Sequence, residues 1–459
     1  MRSAAAAVAR QAYPLAVAAA AFILVSGLPS ADSDTYWHLA SAKWAWDHGA
    51  LLRHDVFSST VAGHPYGIGE WLGELALYAS YQAGGWAGIA ILRAVLVGSA
   101  AFFLTRLARR SGAPPLVTLP LVVAVLAVSS ITWTDRPQLW TLAFVPLLLD
   151  LLLAARGGRE RALLVIPPLF LLWANLHGGY TLGVAILGAF GVEAVVLRRP
   201  GARRLALTAV AAGLLTFVNA APFDAGLTAR EDAIAPPRFI SEFAPPDVLS
   251  PAGFIFALLV LGTLAAALAR GGELLDALLL IPILWLALSA QRHMEFFAIV
   301  AAPFIAARAG AFVPPRLARL SLRAPAALGI AALLCVAAAG AAFSAPGGPD
   351  ERAYPANALP ALRAGTGRLL NEYDWGGYLI WRVPERPVFV DGRYVPYLGG
   401  VLDDFRAVIG LAPSWHEILA RYDVRAVLLR PGRPLAVALR EDGWIVRAEG
   451  PAFVLLERP

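Results

Sequence analysis

The stretch "SADSDTYWHLASAKWAWDHG" (residues 30–49) follows an apolar run, 11–29, that is too long for an ordinary core helix, and it sets Asp32, Asp34 and His38 at the end of that run. Ionisable groups hard against a segment of membrane-spanning length are expensive and usually mark a site. The composition agrees with the membrane reading. Of 459 residues, 58% are hydrophobic and 15% charged, and the mean hydropathy is +0.63. That is far more apolar than a soluble chain of this length should be.

A hydrocarbon layer needs roughly 20 apolar residues per helix, and about eleven such runs lie along residues 1–344. They fall near 11–29, 87–106, 115–132, 138–155, 162–177, 180–197, 204–220, 252–269, 273–290, 295–311 and 325–344. The first has the basic start and small-residue end of a signal peptide as well, but is read as an uncleaved anchor because the acids that follow need a membrane beside them. The net charge of +6 is carried almost wholly by arginine, Lys43 being the single lysine. The basic stretches "RLARRSG" (106–112), "ARGGRER" (155–161), "RRPGARR" (198–204), "RGGE" (270–273) and "PPRLARLSLR" (314–323) fall on one side if the spans alternate. The positive-inside rule makes that side cytoplasmic, so the N-terminus is expected inside and the C-terminal segment outside, in a bacterial inner membrane. The charge therefore has a topological reading, and no nucleic-acid partner is expected.

The opposite loops hold the unusual polar residues. The first, 30–85, carries two helical patterns rich in aromatics, "TYWHLASAKWAWDHG" (35–49) and "GEWLGELALYASYQAGG" (69–85), of the kind that lie in the membrane interface. On a helix beginning near residue 35, Asp34 falls at the N-cap, where a carboxylate satisfies free N–H groups. His38 lies one turn on, and Asp32 is adjacent. Together the three make a donor set for a divalent cation or an acid–base pair, and the capping and chemical roles are compatible. Asp55 and Glu70 are further candidate substrate contacts in this loop.

These residues resemble a known family. The first loop is similar to the first periplasmic loop of the bacterial GT-C membrane glycosyltransferases, which include the protein O-mannosyltransferases and the aminoarabinose transferase of lipid A. The resemblance continues through "DRPQLWTL" (135–142), "LWANLHGGYTLG" (172–183), "FVNAAPF" (217–223), "SEFAPP" (241–246), "QRHMEFFAI" (291–299) and "NEYDWGGYLIWRVPERPVFVDGRYVPY" (371–397). It implies a polyprenyl-phosphate sugar as donor, and an acid of the first loop as the catalytic group, Asp34 matching better than Asp32. "NAAPF" departs from the commoner "NPYG" of such proteins.

Other polar residues are candidates with two readings each. Arg136 in "TDRPQ" is suited to hold a lipid phosphate bidentately, or to pair with neighbouring Asp135. Arg292 in "QRHMEF" is a second phosphate candidate, or the partner of Glu295. Asn175 and His177 suit either helix C-caps or substrate contacts. The irregular connector 221–250, with "AREDAIAPPRF" (229–239), belongs to the same side and brings Glu242 within possible reach.

Residues 345–459 read as a small extracytoplasmic α/β domain of a size normal for one core, expected to fold on its own. Strands are predicted at 377–383, 387–393, 424–430, 443–450 and 452–459, and helices at 358–373, 414–422 and 435–443. "YDWGGY" and "DGRY" read as structural turns. The fold class is thus a polytopic α-helical membrane protein with about eleven transmembrane helices and this added domain. One cysteine, Cys335, excludes an intrachain disulfide and cysteine metal sites. No phosphate-binding glycine loop is present. The alternative to a transferase is a transporter or flippase of a lipid-linked glycan. Against it, no internal repeat is visible and the polar groups sit at helix ends rather than at mid-membrane.

Overall fold

The computed structural model describes residues 2–30, 32–223, 241–309, 324–344 and 347–459. The stretches "AREDAIAPPRF" and "PPRLARLSLR" lie outside them.

Helices cover every one of the apolar runs: α1 (Arg2–Ser26), α3 (Trp71–Arg110), α4 (Pro115–Ser129), α5 (Leu139–Arg156), α6 (Ile166–Leu176), α7 (Tyr180–Val196), α8 (Ala202–Thr216), α9 (Pro251–Arg270), α10 (Leu274–Ser289), α11 (Met294–Ala309) and α12 (Ala324–Ser344). The interface helix α2 is Asp34–His48. The second interface helix is continuous with the span that follows it. α3 turns from one to the other at Gly84 and Gly85, and Gly85 has φ 58° and ψ −142°, open in practice only to glycine. Among the described residues, four helices are long and apolar enough to cross a membrane by length and composition: 71–110, 115–132, 139–156 and 251–270.

The bundle core is built from Leu104, Val125, Leu148, Phe170, Trp173 and Phe297, all fully buried. Its outer face is apolar too. Leu261 is 60% exposed, Leu268 81% and Trp285 73%, a pattern that suits lipid and not water. The basic ends of the helices are not bare arginine, as the sequence suggested. Buried Asp150 takes Arg106 and Arg110 at 2.9 and 3.0 Å. Buried Glu193 takes Arg156 and Arg199 at 3.0 and 2.6 Å.

The last third of the chain carries a four-stranded sheet: β1 (Arg368–Asn371), β2 (Val424–Leu429), β3 (Ile445–Glu449) and β4 (Val454–Glu457), in the order β1-β2-β4-β3. β1 runs parallel to β2, and β4 antiparallel to β2 and β3. Three of the predicted strands are present. "GYLIWRV" is instead a helix, Gly376–Arg382, and 387–393 stays outside the sheet. Residues 358–373 split into a short helix, Leu359–Ala364, and β1. An unpredicted amphipathic helix, Val401–Ile409, buries Val401, Leu402, Phe405 and Val408.

The core of this domain is built almost wholly from its own residues and takes in a few side chains of the first loop and of α2. Val61 of the first loop packs with Phe389, Phe405 and Leu456, and Tyr36 and Ala40 of α2 pack with Trp375, Tyr378 and Leu379. The opposite side of α2, Leu39 and Ala42, meets Leu77, Tyr78 and Ile89 of α3. The first half of α2, through Ala42, is therefore buried between protein layers, while its second half, with Trp46 64% exposed, is largely free of them. A parallel bridge joins Ser58 to Val388, flanked by Ser59 N–H to Val388 O at 2.8 Å and Val388 N–H to Phe57 O at 3.0 Å.

Candidate active site

Asp34 is the first helical residue of α2, one past the N-cap. Ser33 holds the cap position without a side-chain bond, and Asp32 Oδ1 accepts the Asp34 N–H at 2.9 Å. Capping thus falls to Asp32, and the Asp34 carboxylate is turned elsewhere. It receives Arg136 Nη1 at 3.1 Å, while Arg136 Nε lies 2.8 Å from Asp32 Oδ2 and Nη2 3.1 Å from Glu242 Oε2.

Arg136 is fixed by its surroundings. Asp135 is not its partner: α3 supplies Arg93, whose Nη1 donates to both Asp135 oxygens at 3.1 and 3.0 Å, and Arg93 also donates to the carbonyls of Leu28 and Pro29. That wholly buried pair anchors the segment before α5 to the end of α1. The residue after Asp135, Arg136, is directed at the start of α2. Glu242 arrives from the turn Ser241–Phe243, which is tied to the 291–293 turn by Gln291 N–H to Ala244 O at 2.8 Å. Arg292 stands 3.5 Å from Glu242 and lies over the Phe243 ring at 4.9 Å, so its carboxylate neighbour is Glu242. Glu295, the expected partner, accepts from Thr132 instead.

A second polar group adjoins the first. His177, at the C-cap of α6, lies 3.4 Å from Glu70 and 2.7 Å from Thr141 Oγ1. His38 is turned to Glu74, at 3.0 Å. Two candidate contacts are committed to structure. Asn175, inside α6, accepts from Trp71 Nε1 at 2.9 Å and donates to Val218 O at 2.8 Å. Asp55 is fully buried between Arg393 Nη1, at 2.6 Å, and Ser58 Oγ, also at 2.6 Å.

The "DGRY" turn closes the site from the sheet domain. A Cβ on Gly392 would lie 1.8 Å from Asp34 Oδ1, and one on Gly377 2.7 Å from Ser33 O. Both glycine turns, read in the sequence as features of their own domain, are therefore pressed against the start of α2. Asp391 and Arg393, on either side of Gly392, are buried with Asp55 and Tyr397 and face away from solvent.

Burial pushes the Asp34 carboxyl up to about 8, helped by the negative charge of Asp32 and only partly opposed by Arg136. Glu70 is pushed up to about 7 by burial against the pull of the Gly178 N–H and of Arg292 and Arg136. His38 is held well below its usual range by burial, then by Arg136 and His177, so it is neutral. Glu242 behaves oppositely: burial would raise it, but Arg136 and Arg292 together outweigh burial and lower it. The site thus sets an acid whose proton comes off near neutrality beside a carboxylate that stays ionised, with two fixed guanidinium groups. Such a pairing can accept a proton and stabilise a departing anion.

The set Asp32, Asp34 and His38, expected as metal ligands, is not assembled, because the two acids face Arg136 and the histidine faces Glu74. Among the described residues, no group of three His, Cys, Asp or Glu side chains is arranged to hold a metal ion.

No protein-family model matches the chain, and no curated protein matches it by sequence. Solved structures do match. The oligosaccharyltransferase AglB from Archaeoglobus fulgidus, in complex with an inhibitory peptide and a dolichol-phosphate, aligns over 91% of this chain and 69% of its own, at 13% identity and a TM-score of 0.64. A structure of the A. fulgidus oligosaccharyltransferase with Zn and sulfate aligns over 90% and 67%, at 14% identity and a TM-score of 0.56. ArnT from Cupriavidus metallidurans, bound to undecaprenyl phosphate, aligns over 97% of both chains, at 12% identity and a TM-score of 0.56. At such identities the likeness is one of fold alone.

Proposed function

We propose that this chain is a membrane glycosyltransferase that moves a sugar from a polyprenyl-phosphate-linked donor to an extracytoplasmic lipid, glycan or protein acceptor. The observation that carries the proposal is the Asp34 carboxylate, partly exposed and uncommitted to capping, facing Arg136, with Arg292 beyond it across Glu242. The similar structures bind dolichol-phosphate or undecaprenyl phosphate, which supports a donor of that class. In this reading the chain crosses the inner membrane about eleven times, with the N-terminus in the cytoplasm and the sheet domain outside. The donor's isoprenoid tail lies among membrane lipids.

Asp34 accepts the proton of the acceptor hydroxyl as its oxygen attacks the anomeric carbon. The bond from that carbon to the phosphate oxygen breaks, and the polyprenyl phosphate leaves with the bonding pair. Arg292, which has one carboxylate neighbour where Arg136 has three, has donors to spare for the leaving phosphate. Glu70 and His177 line the same space and are suited to sugar hydroxyls.

The test is Asp34→Asn, with expression and membrane insertion matched. Because Asp32 supplies the capping bond, the helix start survives the change. Loss of a general base lowers transfer by roughly 10²-fold or more. An Asn variant that fully restores the lipid-linked sugars and surface glycans of a deletion strain removes the central residue from the mechanism.

A further inference from the structure

The three carboxylates around Arg136 also bear on which cation the site uses. A related fold has been seen with Zn and sulfate, and a cluster containing Asp32, Asp34 and Glu242 has the charge to attract a divalent ion. Its geometry argues otherwise. Hard divalent ions hold their oxygens at roughly 2.0–2.6 Å from one common centre. Here Asp34 accepts from Nη1 at 3.1 Å and Glu242 from Nη2 at 3.1 Å, while Asp32 Oδ2 lies 2.8 Å from Nε, whose hydrogen goes to Thr134 Oγ1. The acids are spread around the rim of a planar group instead of converging on a point. The guanidinium cannot give up its proton to make room for a metal, since it stays charged at any physiological pH. Nor is it free to swing away, because Thr134 Oγ1 accepts from its Nε at 3.0 Å and the buried Arg93–Asp135 pair holds the preceding residue.

We infer that Arg136 is the resident cation of this site, taking the place among Asp32, Asp34 and Glu242 that a divalent metal would otherwise occupy. The chain therefore binds no divalent ion there. The inference concerns ion binding alone and stands apart from whether the chain transfers a sugar.

The test needs neither donor nor acceptor. Purified full-length chain is titrated with Mn²⁺, to roughly 1 mM, the weak end of oxygen-ligand sites, and the free-ion EPR signal is read. The wild-type chain is expected to leave that signal undiminished. Arg136→Gln, checked for folding by size exclusion, should gain about one bound Mn²⁺ per chain, and Asp32→Asn in the same background should abolish the gain. A wild-type chain that binds one Mn²⁺, lost on Asp32→Asn, overturns the inference. So does a folded Arg136→Gln chain that gains none. If Arg136→Gln does not fold, the wild-type titration decides alone.

Discussion

Gly392→Ala changes one hydrogen for a methyl at the point where the sheet domain meets the proposed base. The glycine is not needed for its backbone, since its φ is not in the left-handed region. The cost is steric only. The new Cβ would lie 1.8 Å from Asp34 Oδ1 and 2.9 Å from Cγ, so it is about 1.6 Å short of ordinary contact at 3.4 Å. Neither side yields freely: Asp34 is held by Arg136, and Arg393, next to Gly392, is buried among Asp55, Asp391 and Tyr397. Overpacking of this kind costs about 1–3 kcal/mol, and a displacement of roughly 1 Å at a reacting group lowers rates by about 10²-fold. The expected result is a transfer rate down by about that factor with a modest loss of thermal stability. Both are read on detergent-solubilised chain beside Gly399→Ala, whose Cβ would meet nothing within 4 Å. If Gly392→Ala matches Gly399→Ala in rate and melting, the turn does not bear on Asp34 and the composite site is mistaken.

Arg393→Met leaves Asp55 and Asp391 buried without their cation, with side chains 0% exposed in both. It should cost about 3–5 kcal/mol and expose the sheet domain to limited proteolysis; unchanged protection would show the junction to be held by packing alone. Asp34 binds its proton more tightly folded than unfolded, so its contribution to stability is full below about pH 3.8 and lost as pH rises through about 8. Melting temperature should therefore fall between roughly pH 4 and 8, while transfer, which needs the ionised base, rises over the same window. Asp34→Asn should flatten the first trend, and a rate that falls with pH there argues against an Asp34 base. An export-dependent reporter fused after residue 350 should be active and a cytoplasmic one silent; the reverse would turn the site toward the wrong side of the membrane.

The bundle was legible in the sequence because lipid solvation imposes one rule over some twenty residues at a time, and every apolar run proved helical. The first-loop acid was legible for the same reason, standing out against its background. What failed was partner choice, which depends on the direction of side chains and not on spacing. Asp135 and Arg136 are neighbours in sequence, yet one turns to Arg93 and the other to Asp32 and Asp34. Asp55 looked like a loop acid because its cation lies 338 residues away. "GYLIWRV" has the composition of a strand but is buried at nearly every position, which erases the alternation that separates strand from helix. The helix at 401–409 carries a readable signal, apolar residues at 401, 402, 405 and 408. Glu242 stood out only as an acid in an irregular loop; its placement depends on the contact of that loop with residue 291.

The junction between Asp55 and Arg393 has a consequence for how the protein is made. Ribosomes deliver residues in order, and at roughly 5–20 residues per second the 338 residues between the two take on the order of 17–70 s to synthesise. Throughout that interval Asp55 lacks the arginine that neutralises it, and the first loop lacks the segment near Val388 that pairs with Ser58 and Ser59. Closure of the first loop against the sheet domain thus waits until residue 393 has been made.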